Sequence, residues 1–291
     1  MYSVGVHPCK LAILTDETVD LIPLIKNEDG VVMTQYEKTW ALERFGALDV
    51  DFTPLNVLGT LDAADKRIRE KEPDFRLDAI DLADKETFDM LCTGKSESVF
   101  SFENESMREL LKEVFPESMA DLAALYALDR PGTEDFIQEY LEAKLHSQTV
   151  TYRTPALEPI LKETCGVIVY QEQVMEILHT LAGYSMSRAD LARRAIAKRM
   201  PEVLKLQRQV FVYGSDGKDG LPACDGCLKR EIDEDVANAV FDDIEKHCPY
   251  AFCKSHAVSY TLLAYRTAYL KCHYPEEWKA AVEGDTDDTD F

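Results

Sequence analysis

The sequence predicts an α+β fold, with a small β-containing piece followed by a long all-helical region and a boundary near residue 60. Two observations predict it. Residues 1–58 carry short apolar or alternating runs separated by a turn sequence, the pattern of strands. From Leu55 onward, apolar residues recur at helical spacing between strong breakers such as Glu72-Pro73-Asp74 and Arg130-Pro131-Gly132.

In the first piece Lys10–Leu14 is a short apolar run. Asn27-Glu28-Asp29-Gly30 is a turn sequence before the alternating run Val31–Tyr36, so a hairpin is expected. Leu48–Phe52, LDVDF, is a strand. Helices are expected over 55–71, 84–91 (Asp84 capping toward Thr87), 105–114, 118–128, 133–145, 155–162, 201–212, 233–246, 257–274 and from Pro275 to Val282. Ser98–Phe102 reads as a short extended piece, and 215–226 as a loop rich in Gly and Asp.

The organising stretch is Gly166–Met200. The apolar run Val167–Tyr170 leads into a helix whose Val174, Ile177, Leu178 and Leu181 share a face, and Gly183 closes it. Ser187 is the expected N-cap of the next helix, with Leu191, Ala195 and Ile196 facing inward. Arg193, Arg194, Lys198 and Arg199 then present a cationic face, either a solvated helix side or forks suited to phosphates.

At 291 residues, one large or two ordinary domains are expected, and 46% hydrophobic content allows a full core. Residues 1–60 form the first domain, 61–283 the second, and 284–291 an acidic, disordered tail. No apolar run reaches the roughly 18 to 20 residues of a membrane span. MYSVGVHPCKLAIL lacks a basic n-region and a cleavage site, so the expectation is a cytoplasmic chain with no membrane partner. The net charge of −22 excludes general adhesion to DNA. Nucleic-acid contact must be local, through a basic patch such as 193–208. Of eight cysteines, Cys224, Cys227, Cys248 and Cys253 either form a four-thiolate zinc site or stay unrelated free thiols.

Three constellations carry chemistry. Asp49 and Asp51 lie on one face of a strand, because side chains alternate, and either bind a hard divalent cation such as Mg2+ or are two solvated acids on an edge. Arg193 and Arg194 offer guanidinium forks. Lys254-Ser255-His256 opens the helix 257–274, either as an anion site at a helix N-terminus or as a capping Ser beside a solvated Lys. Acids that hold metal ions and cations that cradle a phosphate chain are the parts of phosphoryl transfer.

In order along the chain stand GVH (5–7), LDVDF (48–52), TFDML (87–91), SVFSFENESMRELL (98–111), LAALYALDRPG (122–132), GVIVYQEQVM (166–175), LAGYSMSRADLARRAIAKRMPE (181–202) and YAFCKSHAVSYTLLAYRTAYLKCHYPEEW (250–278). With these motifs the chain resembles the alpha subunit of bacterial DNA polymerase III, the C-family replicative DNA polymerase, over about residues 3–283. The resemblance implies the C-terminal part of a palm domain followed by a helical fingers domain. It implies template-directed nucleotidyl transfer in DNA replication, with Mg2+ as cofactor and a DNA primer-template and deoxynucleoside triphosphates as partners. It makes Asp51 the third catalytic aspartate and metal ligand, with Asp49 beside it. The family's Asp-x-Asp pair, first part of the palm and thumb would come from a separate chain or missing segment. The resemblance makes Arg193, Arg194, Lys198, Lys254, Ser255, His256 and Arg130 nucleotide-binding residues. The chain departs from the family at Asp49, commonly lysine there, and at Pro54, commonly glycine. A non-catalytic nucleotide- or polymerase-binding protein that retains the fingers fold is the second reading.

Overall fold

The computed structural model describes residues 10–14, 22–27, 30–35, 44–52, 54–146, 150–218 and 223–285. The GVH motif and residues 286–291 of the acidic tail lie outside them. The chain divides into two compact units, residues 1–60 and 61–291. The fold is α+β.

In the first unit β1 (Lys10–Ile13) pairs antiparallel with β4 (Leu48–Asp51), setting Lys10 opposite Asp51 and Ala12 opposite Asp49. β2 (Leu24–Lys26) pairs antiparallel with β3 (Val32–Thr34). The expected hairpin is present, and its turn shows why. Asn27 Oδ1 accepts the Val31 N–H at 2.8 Å, and Gly30 takes φ +80°, a left-handed conformation that favours glycine. The described core of this unit is small: Ile22 and Ala47, with Ala12 and Leu14 against them.

The second unit is helical. Its described helices begin with α1 (Val57–Lys71, whose first turn belongs to the first unit), α2 (Lys85–Cys92), α3 (Glu105–Val114), α4 (Met119–Leu128), α5 (Glu134–Leu145) and the short α6 (Glu158–Leu161). They continue with α7 (Gln171–Ala182), α8 (Met186–Ala197), α9 (Pro201–Tyr213), α10 (Glu234–His247), α11 (Lys254–His273) and α12 (Pro275–Asp285). Side-chain caps fix several starts. Asp84 accepts the Thr87 N–H, Asn104 the Met107 N–H and Ser118 the Asp121 N–H.

Two apolar cores result. One is built on α2–α5 and α11 around Phe102, Leu122, Leu125 and Tyr265. The other is built on α7–α10 around Ile177, Phe211 and Phe241. The extended stretch 167–170 runs between them. Val167 and Val169 belong to the first core and Ile168 to the second, as side-chain alternation requires. The backbone of this stretch holds the segment before α11: Phe252 N–H donates to Val169 O, and Gln171 N–H to Phe252 O, at 2.9 and 2.8 Å. Gln173 Oε1 accepts the N–H groups of Val169 and Tyr170, both at 2.9 Å, which fixes the entry into α7.

Several expectations are corrected. Ser98–Phe102 is not extended. It is a run of turns with Ser98 and Ser101 at φ 58° and 59°, and the i, i+3 pair Val99 and Phe102 is buried. The cap of α8 is Ser185, not Ser187, because its hydroxyl receives the Arg188 N–H. Leu191 does not face inward and is 67% exposed. At about 100° per residue it stands some 200° around the helix from buried Ala189. Ala189, Ala192 and Ile196 make the buried stripe instead. The 155–162 helix is split, with 3-10 turns at Pro155–Leu157 and Lys162–Thr164 around α6. In 215–226 the backbones of Ser215 and Cys224 pair. A Cβ at Gly214 would lie 2.3 Å from Asp225 O, so a glycine is required there. Among the described residues no helix is long and apolar enough to cross a membrane.

Candidate functional site

The segment Tyr250–His256, held against 167–171 by the backbone pairing above, gathers most of the sequence-predicted cations. Arg130 reaches it from the end of α4. Its Nε donates to Ala127 O at 2.8 Å, its Nη2 to Tyr250 O, and its guanidinium lies 4.5 Å over the Phe252 ring. Burial lowers the Arg130 pKa from its ordinary value, so its charge is partly desolvated and responsive to a nearby anion. Arg199 stands 5.1 Å over the Tyr250 ring. It carries φ 52°, the reversal that ends α8 before Pro201 opens α9.

α11 begins at Lys254, three residues earlier than expected, and a side chain from another helix explains the shift. Glu172, in the first turn of α7, accepts the Lys254 N–H at 2.9 Å and the Cys253 thiol at 3.7 Å. The anion position expected at this helix start is therefore filled by the protein's own carboxylate. Ser255 Oγ lies 3.2 Å from Cys253 Sγ. The Lys254 ammonium pairs with both oxygens of Glu163 at 2.6 and 2.8 Å and lies 5.7 Å over the Tyr170 ring. His256 is exposed and stacks on Tyr260 at 4.3 Å, with Tyr126 beside both. Four rings, those of Tyr126, Phe252, His256 and Tyr260, thus form one aromatic surface beside the Arg130 guanidinium.

The α8 arginines form a separate cluster and do not share one open cationic face. Arg193 is only 13% exposed and Arg194 66%, and both reach back to Asp190, at 2.5 and 2.8 Å. Hydrogen bonds from Arg193 and then Arg194 hold the Asp190 carboxyl below its usual range. Cys248 ties this cluster toward the first, donating its thiol to Arg193 O at 3.3 Å. Lys198 is the exposed C-cap of α8.

Asp49 and Asp51 sit two residues apart on β4, and their side chains lie outside the described residues. The four thiols Cys224, Cys227, Cys248 and Cys253 are not gathered into a metal site. Cys248 and Cys253 donate to different partners, and Cys227 is buried with its thiol pushed up to about 12. Among the described residues the group close enough to share an ion is Glu86, Cys272 and His273.

Asp190, Glu163, Glu172 and the aromatic pair Tyr126–Tyr260 were not singled out from the sequence. The first is legible after the fact, because it stands three and four residues before the arginines, where helix side chains meet. The others are brought in by tertiary packing.

The family described as bacterial DNA polymerase III alpha subunit finger domain matches residues 57–219. Relatives named DNA polymerase III subunit alpha include that of Borreliella burgdorferi, 38% identical over 276 residues, which are 94% of this chain and 23% of the relative. That of Thermus aquaticus is 37% identical over 96% of this chain and 22% of its own length. That of Bacillus subtilis is 37% identical over 92% and 23%. The chain therefore spans less than a quarter of the length of these curated relatives. The match across residues 57–219 and the likeness along nearly the whole chain place it in one family: it belongs to the family of the bacterial DNA polymerase III alpha subunit finger domain.

Proposed function

We propose that this chain is a palm-and-fingers portion of a cytoplasmic C-family DNA-directed DNA polymerase. In this reading residues 61–283 are the fingers and bind the incoming deoxynucleoside triphosphate, and residues 1–60 are the C-terminal part of the palm. The observation that carries it is the 37–38% identity to relatives named DNA polymerase III subunit alpha over 92–96% of the chain. The geometry supports it. Arg193 and Arg194 give two planar forks for phosphate oxygens, and Arg130, Lys254 and His256 stand around an aromatic surface suited to a nucleotide.

Arg193, Arg194 and Lys254 are already paired with carboxylates of the chain, so binding a triphosphate there is an exchange. An exposed carboxylate pair is worth about 0.2–1 kcal/mol, whereas a hydrogen bond to a charged group contributes about 1.5–3 kcal/mol. A polyanion therefore displaces Asp190 and Glu163. Asp51, with Asp49 beside it, offers hard carboxylate oxygens of the kind magnesium takes, and these residues would hold Mg2+. When bound, that ion would neutralise phosphate charge during nucleotidyl transfer. The primer-template is the other substrate, and the remaining palm carboxylates and the thumb are supplied by residues beyond these 291.

Calorimetry with a deoxynucleoside triphosphate at low salt tests the assignment. Weak binding is expected, and Arg193→Ala with Arg194→Ala weakens it by more than tenfold, since each lost contact is worth about 1.5–3 kcal/mol. Equal affinity in the double variant would remove the arginines from the site. A non-catalytic, polymerase-binding role is the second reading, favoured by the carboxylates that already occupy Arg193, Arg194 and Lys254. Absence of triphosphate binding altogether would select it.

A further inference from the structure

We propose that Glu86, Cys272 and His273 form a zinc site that clips the start of α2 to the end of α11. A carboxylate oxygen of Glu86, the Cys272 sulfur and a ring nitrogen of His273 lie within 4.8 Å of one another. Tetrahedral zinc, with bonds of about 2.0–2.3 Å, spans ligand atoms roughly 3.3–3.8 Å apart. Glu86 Oε2 stands 3.9 Å from His273 Nδ1, so closure on an ion takes a small inward movement. Glu86 is 79% exposed and free to make it.

The ring of His273 is already oriented for this. Its Nε2 stands 2.8 Å from Asp84 Oδ2. With Nε2 placed on the Asp84 carboxyl, Nδ1 is the ring nitrogen that faces Glu86. A carboxylate on the far nitrogen of a metal-binding histidine is the usual outer partner of such ligands. Asp84 itself cannot drift, because it caps α2 through the Thr87 N–H and hydroxyl at 2.8 and 2.6 Å.

The local charge favours a dication. Asp84 and Glu86 both bring carboxyl groups against the Cys272–His273 end of α11. Lys85, beside Glu86, is turned away onto Asp89 at 2.6 Å, and Lys271, beside Cys272, onto Glu97 at 3.1 Å. The site also stands at the carboxyl end of α11, where the helix dipole attracts positive charge. One thiolate, one imidazole and one carboxylate suit zinc rather than magnesium or calcium, and water completes the fourth position. None of these residues belongs to the nucleotide site, so the inference stands independently of the proposed function.

Titrating the chelator-treated full chain with cobalt(II) chloride tests it. One equivalent is expected to bind with a thiolate-to-cobalt charge-transfer band, which zinc bleaches stoichiometrically. Cys272→Ser abolishes the band. Glu86→Gln, at an exposed position that does not disturb folding, lowers zinc affinity by about tenfold or more. Asp84→Asn keeps a side-chain cap and lowers it about 10- to 100-fold. A band that survives Cys272→Ser but is lost in Cys224→Ser with Cys227→Ser would overturn the assignment. Weak binding of several equivalents without a thiolate band, an adventitious ion only, would overturn it as well.

Discussion

In residues 61–291 the large side chains Leu122, Leu125, Phe211 and Phe241 are sealed in two cores. In residues 1–60, Leu11, Ile13, Val32, Leu48 and Phe52 stand more than half exposed. Among the described residues, nine of nineteen exposed large hydrophobics fall in that first fifth of the chain, although the helical unit is nearly four times longer. The helical unit holds a largely buried network of Asp121, Lys144 and Tyr140, and a partly exposed one in which Glu139 binds both His247 and Lys246. The helical unit thus closes its two apolar cores within itself. Among the described residues the β unit pairs its strands two by two and leaves Leu11, Ile13, Val32 and Leu48 on them exposed, the kind of apolar surface that a further element covers.

The largest expected effect tests whether the β unit needs that cover. Under the polymerase reading, purified residues 1–291 do not extend a primer with magnesium and all four triphosphates. Asp51 and Asp49 are too few carboxylates to fix two ions, and no grip on the duplex is at hand in a chain of net charge −22. Adding a chain that supplies the other palm carboxylates and a thumb restores extension, and Asp51→Asn then lowers it on the order of a hundredfold or more. Extension by the lone chain would show that the β unit is complete as it stands. Extension that survives Asp51→Asn would move the metal ligand elsewhere.

The next effect separates the two units by stability. Leu122→Ala, at a fully buried position of α4, is expected to cost about 2–5 kcal/mol in denaturant unfolding. Leu48→Ala and Leu11→Ala, both exposed, are expected to stay within about 0.5 kcal/mol. Comparable losses at all three would mean that the strands share a core after all.

How much of this was legible in the sequence follows the same line. Helices with local caps were readable to within a residue or two, because Asp84, Asn104 and Ser118 announce their starts in three or four residues. The start of α11 was not, because its cap is Glu172, 82 residues away. The turns at 98–102 were missed because Val99 and Phe102 read equally well as a strand or as a tight turn until the core around them is known. Of the candidate site, the cations were found by type, Arg130 and Lys254-Ser255-His256 through family resemblance and helix-start chemistry. Their partners Glu163 and Glu172 carry no local pattern, and ion pairing across helices is set by packing alone.

A smaller effect concerns acid. The His247 hydrogen bond, opposed by burial and reinforced by Lys246, pulls Glu139 down to about 2. Its folded value lies below the ordinary carboxylate value near 4.5, so the stabilisation is complete above about pH 5.5 and is lost as the pH falls through 4.5 toward 2. Partial exposure reduces it to about 1–2 kcal/mol. Glu139→Gln should flatten stability between pH 2 and 5, measured on residues 54–285, which hold the helical unit with α1 intact. Asp121, also held low, leaves a residual slope in that variant. An unchanged slope would mean that Glu139 is not ion-paired in solution.

The smallest effect asks how tightly the helical unit holds Arg193 and Arg194, the proposed phosphate-binding forks. Asp190 engages Arg193 and Arg194 together, and a carboxylate shared by two guanidiniums competes directly with phosphate. Arg194 is well exposed, so its pair contributes about 0.2–1 kcal/mol. The Arg193 pair is more sheltered but stays on one helix, three residues apart. Releasing both costs about 1 kcal/mol in sum, a factor of roughly five in affinity. Asp190→Asn keeps the side-chain volume and removes the charge. It is therefore expected to tighten triphosphate binding by up to about fivefold at low salt, with the gain shrinking as salt rises. It leaves the melting temperature within a degree or two, because the exposed face of α8 carries little of the core. Weaker binding in Asp190→Asn would reverse the interpretation. Asp190 would then be the residue that holds the two forks in place for the phosphate chain, and the self-compensation of the helical unit would be part of its grip.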